Sequence, residues 1–318
     1  MKPIAFAVLL SAGLLAGTAA QAEYPERPVK VLVGFAAGGG ADQLARYFAD
    51  KLAQLSKGNF IVENRVGVSG NLAVFNTAKA PPDGYTLVIN STASAATPYV
   101  YKDLTFDVKK DLIPIASYGE TPFVLTVRPD SPANNIAELT ALLKAKGGKT
   151  VYGWSSTLAL ASAVIYTSGA GIEAQAVGHK VMANMLSDIS AGQLDFAFAD
   201  TMYASGQARQ GRIKILGITS QSRSLLLPDV PTMPELGFQT GGITPLWGLW
   251  APAATPPDVV AKLSKWMAEI NAMPATQDFL KSLGTNIVAL DTAAYRAKVD
   301  EALKAWGEVT SKANIQPQ

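Results

Sequence analysis

The sequence predicts an α/β protein of two lobes, each a mostly parallel sheet flanked by helices. Two observations support this fold class. Short apolar or β-branched runs alternate with segments of helical spacing over most of the chain. This alternation occurs in two series, and the second series begins at Phe123. Alternating strands and helices of this kind form parallel sheets that are covered by helices on both faces.

The first series starts with an apolar run at residues 29–35, a glycine-rich turn and a helix over residues 41–55. In that helix Leu44, Phe48 and Leu52 recur at helical spacing. The pattern then repeats as a strand, a helix, a strand and a loop of small residues: residues 60–63, 71–80, 85–90 and 91–96. These units predict the sheet of the first lobe.

The second series contains enough strands to close a sheet of its own. Its strands are predicted at residues 123–127, 150–153, 173–177, 194–198 and 213–219. Its helices are predicted at residues 136–146, 158–168 and 181–191. The stretch at residues 227–234 contains three prolines, which fit neither helix nor strand, and it predicts a connector.

The last part of the chain has too little strand for a third sheet. It contains a strand at residues 247–251, a helix at residues 258–273 and two further helices. We therefore predict that the chain returns to the first lobe, which gives residues 23–122 and 243–318 to lobe 1 and residues 123–242 to lobe 2. Two crossing segments make a hinged cleft, and ligands of open α/β sheets bind beyond the carboxyl ends of the strands.

Residues 1–22 predict a secretory signal peptide. Lys2 precedes an apolar stretch at residues 4–16, and the segment ends in the triplet Ala20-Gln21-Ala22. The apolar stretch is shorter than the roughly 20 residues that span a bilayer. We expect cleavage after Ala22 and a periplasmic location for the mature protein.

The composition excludes several classes of function. Without cysteine and with a single histidine, the chain lacks thiolate catalysis, iron–sulfur clusters and multi-histidine metal sites. Lys+Arg number 27 against 25 Asp+Glu, so no broad basic field exists for nucleic acid. We expect no metal, no cofactor and no nucleic-acid partner.

The glycine-rich turn after the first strand is the first candidate binding site. Its backbone N–H groups and the positive end of the following helix attract anions. We take as ligand-binding residues Phe35, Ala36, Gly38, Gly39, Gly40, Ala41 and Asp42. The small-residue loop that follows the third strand adds Ser91 and Thr92.

Three further candidates follow strands of the second lobe. The first is the segment Trp154, Ser155, Ser156 and Thr157, which supplies amides and hydroxyls to a ligand and also caps the next helix. Asp200 follows another strand, where it either accepts from a ligand or caps the helix beyond. His179 follows a third strand and is either a cleft residue or an ordinary surface histidine.

Two alternatives to an anion site remain for the glycine turn. Gly34, Gly38 and Gly40 overlap a dinucleotide-binding spacing, and Glu63 ends the next strand, as in a cleft-containing nicotinamide-dependent oxidoreductase. The export signal argues against that alternative, and the only Tyr-x-x-x-Lys pair with suitable spacing lies inside the first helix. A purely structural turn is the other alternative. No motif supports a hydrolase.

Six ordered motifs cover nearly the whole chain after the signal peptide. They are Tyr24-Pro25-x-Arg27-Pro28-Val29, residues 35–42, residues 62–65 with Gly67 and Gly70-Asn71, residues 80–87, residues 227–232 and residues 248–252. Together they resemble the tripartite tricarboxylate receptor family, the periplasmic solute-binding proteins also called Bug receptors. The resemblance implies a two-lobe Venus-flytrap fold of type II-like topology. It also implies a small organic acid in the cleft and delivery to the membrane components of a tripartite tricarboxylate transporter, without catalysis.

The same resemblance implies that backbone amides and ordered water at the two glycine/serine turns hold one carboxylate. The chain departs from the family pattern at two places in the second lobe. Trp154 and the apolar residues 158–160 replace a polar stretch, and His179 lies where the family often has tyrosine. Both changes add aromatic or apolar surface and keep a hydrogen-bonding group. We therefore expect an aromatic dicarboxylate such as terephthalate, bound by a monomer; a role as input protein of a two-component sensor stays open.

Overall fold

The computed structural model describes residues 24–67, 70–102, 106–179, 181–239 and 243–312. The predicted signal peptide, Lys180 and the lobe boundary at residue 242 lie outside the described residues. Within this part of the chain, none of the helices combines the length and the apolar character that a membrane crossing requires.

The described residues form eleven strands and eleven α-helices. The strands are β1 (Val29–Val33), β2 (Phe60–Asn64), β3 (Thr86–Ser91), β4 (Leu112–Glu120), β5 (Phe123–Val127), β6 (Thr150–Trp154), β7 (Ala174–Gly178), β8 (Phe196–Asp200), β9 (Lys214–Ile218), β10 (Leu246–Pro252) and β11 (Asn286–Ile287). The helices are α1 (Gly40–Ser56), α2 (Asn71–Ala78), α3 (Thr97–Val100), α4 (Val108–Asp111), α5 (Ile136–Lys146), α6 (Thr157–Ala170), α7 (Met182–Ser190), α8 (Thr201–Arg209), α9 (Pro257–Ala272), α10 (Pro274–Ser282) and α11 (Thr292–Lys312).

The strands form two sheets, which confirms the predicted two-lobe α/β architecture. The first sheet has the order β11-β4-β10-β3-β1-β2 and the second has the order β7-β6-β8-β5-β9. Both sheets are mixed, although the sequence predicted mostly parallel ones. The reason is the path of the chain. Strands β1, β3, β6 and β8 end at the cleft, whereas β5 and β10 enter their lobes from it, so β5 and β10 run antiparallel to their neighbours.

Helices cover both faces of the first sheet. On one face α1 and α9 pack against the sheet through apolar residues at helical spacing, among them Phe48, Leu52 and Leu263. On the other face α11 contributes Tyr295 and Val299 to a second buried cluster. Each fully buried side chain of this size contributes about 1.5–3 kcal/mol of hydrophobic free energy. The second sheet is covered in the same way, by α5 and α6 on one face and by α7 and α8 on the other.

The two sheets are joined by two chain segments that pair with each other. Thr121 follows β4, and its N–H donates to the carbonyl oxygen of Pro245 at 3.1 Å. A third junction was not predicted from the sequence. The end of α11, with Trp306 and Val309, packs in one buried cluster with Ala161 of α6 in the other lobe. Helix α11 therefore belongs to the first lobe and contacts the second.

Strand β4 was also absent from the sequence prediction. Its segment contains Pro114 and Gly119, residues that ordinarily argue against a strand between two others. The structure tolerates Pro114 because the pairing of β4 with β10 shifts register next to it, between Leu249 and Trp250. Strand β8 lies two residues later than predicted, so it runs to Asp200 at the cleft.

Candidate functional site

A cavity of about 510 Å³ lies between the lobes, where strands of both sheets end. Two larger hollows, of about 660 and 590 Å³, are lined by residues of the first lobe alone. The cavity between the lobes is lined by Phe35, Gly70, Asn71, Asn90, Ser91, Ala93, Ser94, Ala96, Thr97, Val100, Tyr101, Thr121, Phe123, Ser155, Ser156, Thr157, Leu158, Met182, Asp200, Pro245, Trp247 and Trp306. It is the candidate binding site.

Three helices direct their N-termini at this cavity. Asn71 begins α2, Thr157 begins α6, and Asp200 precedes α8. The second and third helices are capped by side chains: Ser156 Oγ accepts from the N–H of Ala159 at 3.2 Å, and Asp200 Oδ1 accepts from the N–H of Tyr203 at 3.1 Å. Helix N-termini carry partial positive charge, so their convergence favours an anionic group.

Aromatic side chains form another part of the cavity wall. Phe35 and Trp247 lie with their ring centroids 5.9 Å apart, and Trp306 and Phe123 also line the cavity. Phe35 lies so close to Gly70 that a Cβ at that glycine would be 2.9 Å from the Phe35 Cζ atom. Gly70 also has φ +93°, which a side chain would strain. The glycine thus allows the phenyl ring to reach the cavity.

The electrostatic character of the cavity is neutral except at one side chain. No lysine, arginine or histidine occurs among the described residues that line it, and Asp200 is the one carboxyl group. Burial raises the pKa of the Asp200 carboxyl above its ordinary value. An anionic ligand here would be bound by backbone N–H groups, hydroxyls and amide side chains.

Six of the predicted site residues line the cavity: Phe35, Ser91, Ser155, Ser156, Thr157 and Asp200. Asp200 caps α8, which is one of the two roles that the sequence left open, and it lines the cavity; that it accepts from a ligand stays a prediction. The other nine do not line the cavity: Ala36, Gly38, Gly39, Gly40, Ala41, Asp42, Thr92, Trp154 and His179.

The glycine turn is held by hydrogen bonds of its own. The buried carboxylate of Asp42 accepts from the N–H of Gly38 at 2.9 Å and from Arg46 Nε at 3.0 Å. The hydrogen bond from Arg46 lowers the pKa of Asp42 to about 2. The N–H of Gly39 donates to Ala36 at 3.3 Å. Two of the amides expected to bind an anion, or a dinucleotide pyrophosphate, therefore have partners already.

Trp154, His179 and Thr92 have other neighbours. The Trp154 ring packs on Gly178 in the edge strand β7. A Cβ added to Gly178 would lie 2.9 Å from Trp154 Cζ2. His179 Nε2 is 2.8 Å from the carboxylate of Asp188. Thr92 Oγ1 accepts from the N–H of Leu246 at 3.1 Å and so connects the lobe to the returning strand.

Sequence reasoning missed several lining residues. Asn71 and Asn90 lie at a helix start and at a strand end, the same positions that pointed to Ser91, so the same rule could have found them. The Asn90 amide donates to Ser94 Oγ at 2.9 Å, which fixes its orientation at the cavity. Trp247 and Trp306 gave no such signal, because each occupies a position that the apolar periodicity assigns to the core.

Comparison with known proteins finds a matching family model, related sequences and related structures. The model of the family described as "Tripartite tricarboxylate transporter family receptor" matches residues 41–315. A UPF0065 protein of Bordetella pertussis is 31% identical over 325 residues, covering 100% of both chains. The structure of "R. palustris Rpa4515 with adipate" has a TM-score of 0.79 and 26% identity, covering 93% of this chain and 100% of the other. The periplasmic binding protein BugD has a TM-score of 0.74 and 30% identity, covering 93% and 100%.

Proposed function

The chain belongs to the tripartite tricarboxylate transporter receptor family, and we propose that it is a periplasmic solute-binding protein that captures a small carboxylate between its lobes. It would deliver this ligand to the membrane components of a tripartite tricarboxylate transporter, without catalysis. The observation that carries the proposal is the convergence of the N-termini of α2, α6 and α8, from both lobes, on one cavity. This arrangement suits an anion that touches both lobes.

The proposed ligand is an aromatic dicarboxylate such as terephthalate. Phe35 and Trp247 offer ring surfaces to a planar ligand, and the buried rings of Phe123 and Trp306 lie behind the cavity wall. Burial of apolar surface contributes about 25 cal/mol per Å² removed from water. A rigid ring also loses less conformational entropy on binding than a flexible chain of similar length. The adipate recorded with the R. palustris protein is such a flexible diacid, which makes adipate the natural competitor.

In this proposal the two carboxylates bind at two separate places in the cavity. Asn71 and Ser91 lie on the first lobe at the start of α2 and the end of β3, and they would receive one carboxylate. Ser155 and Thr157 lie at the start of α6 and would receive the other. The ring would then lie beside Phe35 and Trp247. A ligand held from both sides favours the closed form of a two-lobe receptor.

A thermal-shift screen tests the proposal on protein lacking residues 1–22. A ligand that binds only the folded state raises the melting temperature. We expect a rise with terephthalate, a smaller one with adipate and none with uncharged aromatic compounds. Mass spectrometry of the recovered ligand then separates a receptor from an enzyme, because a receptor returns the acid unchanged. A screen without any response to organic acids, or recovery of a product, would contradict the proposal.

A further inference from the structure

Two of the residues that line the cavity each have a buried polar side-chain atom without a hydrogen-bond partner among the described residues. These atoms are the hydroxyl oxygen of Ser155 and the indole Nε1 of Trp306. Trp306 is fully buried, at 0% exposure. A buried donor without an acceptor destabilises a protein by about 1–3 kcal/mol. A phenylalanine would fill much of the same space without this penalty, so the indole N–H of Trp306 calls for an explanation.

Two other tryptophans of the protein have hydrogen-bond partners for their indole N–H groups. Trp250 Nε1 donates to the hydroxyl of Tyr295 at 3.0 Å, inside the first lobe. Trp247 Nε1 donates to Thr121 Oγ1 at 2.8 Å. Trp247 lines the cavity as Trp306 does, and Trp306 differs from it because the Trp306 Nε1 has no partner in the described part of the protein.

The two unpartnered atoms belong to opposite lobes but to the same junction. Trp306 lies on α11 and packs in a cluster with Ala161 and Leu158 of α6. Ser155 immediately precedes the N-cap of that helix, three residues before Leu158. A ligand group at the start of α6 would therefore lie near donors from both lobes.

We propose that Trp306 is a specificity residue, whose Nε1–H donates a hydrogen bond to an oxygen of the bound ligand while the Ser155 hydroxyl donates to the same group. This inference rests on the proposed function and names the atoms that would recognise the ligand's second acidic group. An indole N–H donates only, so the facing group must be an acceptor such as a carboxylate oxygen. An ammonium or amide N–H at that position would leave two donors facing each other.

Calorimetric titration of the Trp306→Phe variant tests this assignment, with terephthalate and benzoate as probes. The variant keeps an aromatic ring and loses the N–H. We expect terephthalate affinity to fall about ten- to hundredfold, the effect of one hydrogen bond to a charged group. Benzoate, which lacks the second carboxylate, should lose much less, so the preference for terephthalate over benzoate should shrink by about tenfold or more.

Trp250→Phe is the matched control, because it removes an indole N–H that has a partner in the core. We expect that variant to lower the melting temperature of the ligand-free protein and to retain terephthalate affinity. Trp306→Phe should instead leave the melting temperature of the ligand-free protein unchanged or raise it. A drop as large as that of Trp250→Phe would assign Trp306 a structural role and overturn the inference.

The outcomes also separate this inference from the proposed function. Equal terephthalate affinity in the wild type and in Trp306→Phe would overturn the role of Trp306 and leave the receptor function standing. A wild-type protein that binds none of the acids would overturn both.

Discussion

Trp247 donates its indole N–H to the hydroxyl of Thr121 at 2.8 Å, which joins the strand that returns to the first lobe to the segment that leaves it. Both residues also line the cavity between the lobes. The two crossing segments therefore form part of the cavity wall. We predict that these segments are the hinge, so that a ligand in contact with Trp247 would shift the relative position of the lobes.

This pair gives the first prediction. Thr121→Val keeps the side-chain shape but leaves the Trp247 N–H without its acceptor, so the free energy of unfolding should fall by about 1–3 kcal/mol. Adding Trp247→Phe removes the stranded donor, and the double variant should lose less than the sum of the two single variants. Urea unfolding of the four proteins measures the coupling. Additive losses would show that the hydrogen bond contributes nothing.

A second prediction concerns the Asp42 carboxylate, which holds the start of α1. Asp42→Asn should lower the free energy of unfolding by about 2 kcal/mol, because charged hydrogen bonds to Gly38 and Arg46 are lost. The exposed Asp278→Asn is the control. Since the folded-state pKa of Asp42 is lowered to about 2, its stabilisation is full above the ordinary carboxyl pKa and is lost as the pH falls toward 2. The variant should therefore show a shallower loss of stability in acid, measured by urea unfolding at pH 7 and pH 3.

The third prediction concerns Asp200, whose pKa is shifted in the opposite direction from that of Asp42. Burial raises its pKa, so its contribution to stability declines as the pH rises through the interval between the ordinary and the raised value. Asp200→Asn retains an N-cap for α8 and removes the one carboxyl group among the described residues of the lining. Terephthalate should then bind more tightly at pH 7, by about 1 kcal/mol, the size of a like-charge repulsion across a few ångströms of water. Benzoate should gain less. Weaker terephthalate binding by a folded Asp200→Asn protein would mean that the carboxylate helps to hold the ligand.

The glycines of the first turn give a fourth prediction. A Cβ on Gly34 would lie 2.2 Å from the carbonyl oxygen of Gly70, a backbone atom that cannot move aside freely. Gly34→Ala should therefore destabilise the protein by about 1–3 kcal/mol and displace the start of α2 from the cavity. At Gly40 the nearest atom to an added Cβ is Met202 Cε at 3.9 Å, so Gly40→Ala is the control and should fold normally. Thermal unfolding and terephthalate titration are measured for both variants. Equal melting temperatures and equal affinities would show that the close approach to Gly70 does not explain why residue 34 is glycine.

The sequence predicted the elements that have clear periodicity and failed where packing overrides it. Helix α5 and strand β5 have the predicted bounds, because their apolar spacing and flanking residues agree. Strand β4 was missed because Pro114 and Gly119 are poor strand residues, and only the shifted register with β10 shows why they are accepted.

At the site, too, local sequence signals predicted some residues, and others are placed only by packing. Ser91, Ser155 and Asp200 were found because they follow strands, a position that chain order reveals. At the glycine turn the Asp42 carboxylate accepts from the N–H of Gly38, a contact that no spacing rule displays, and the anion contact expected there stays a prediction. Trp306 was missed because its position in the helical pattern of α11 predicts a core residue. Its place beside the cavity depends on the packing of α11 against α6.

Calorimetric titration of the protein without residues 1–22 tests the central claim most directly, with terephthalate, phthalate, benzoate, adipate and citrate in parallel. The account predicts one binding site, with terephthalate bound most tightly, adipate more weakly and benzoate weaker again, because only terephthalate offers a ring and two opposed carboxylates. Tight binding of adipate or citrate, without heat from any aromatic acid, would contradict the proposal of an aromatic ligand. The proposal that the protein is a carboxylate receptor would still stand. No heat from any of the five acids would contradict the assignment of the cavity itself.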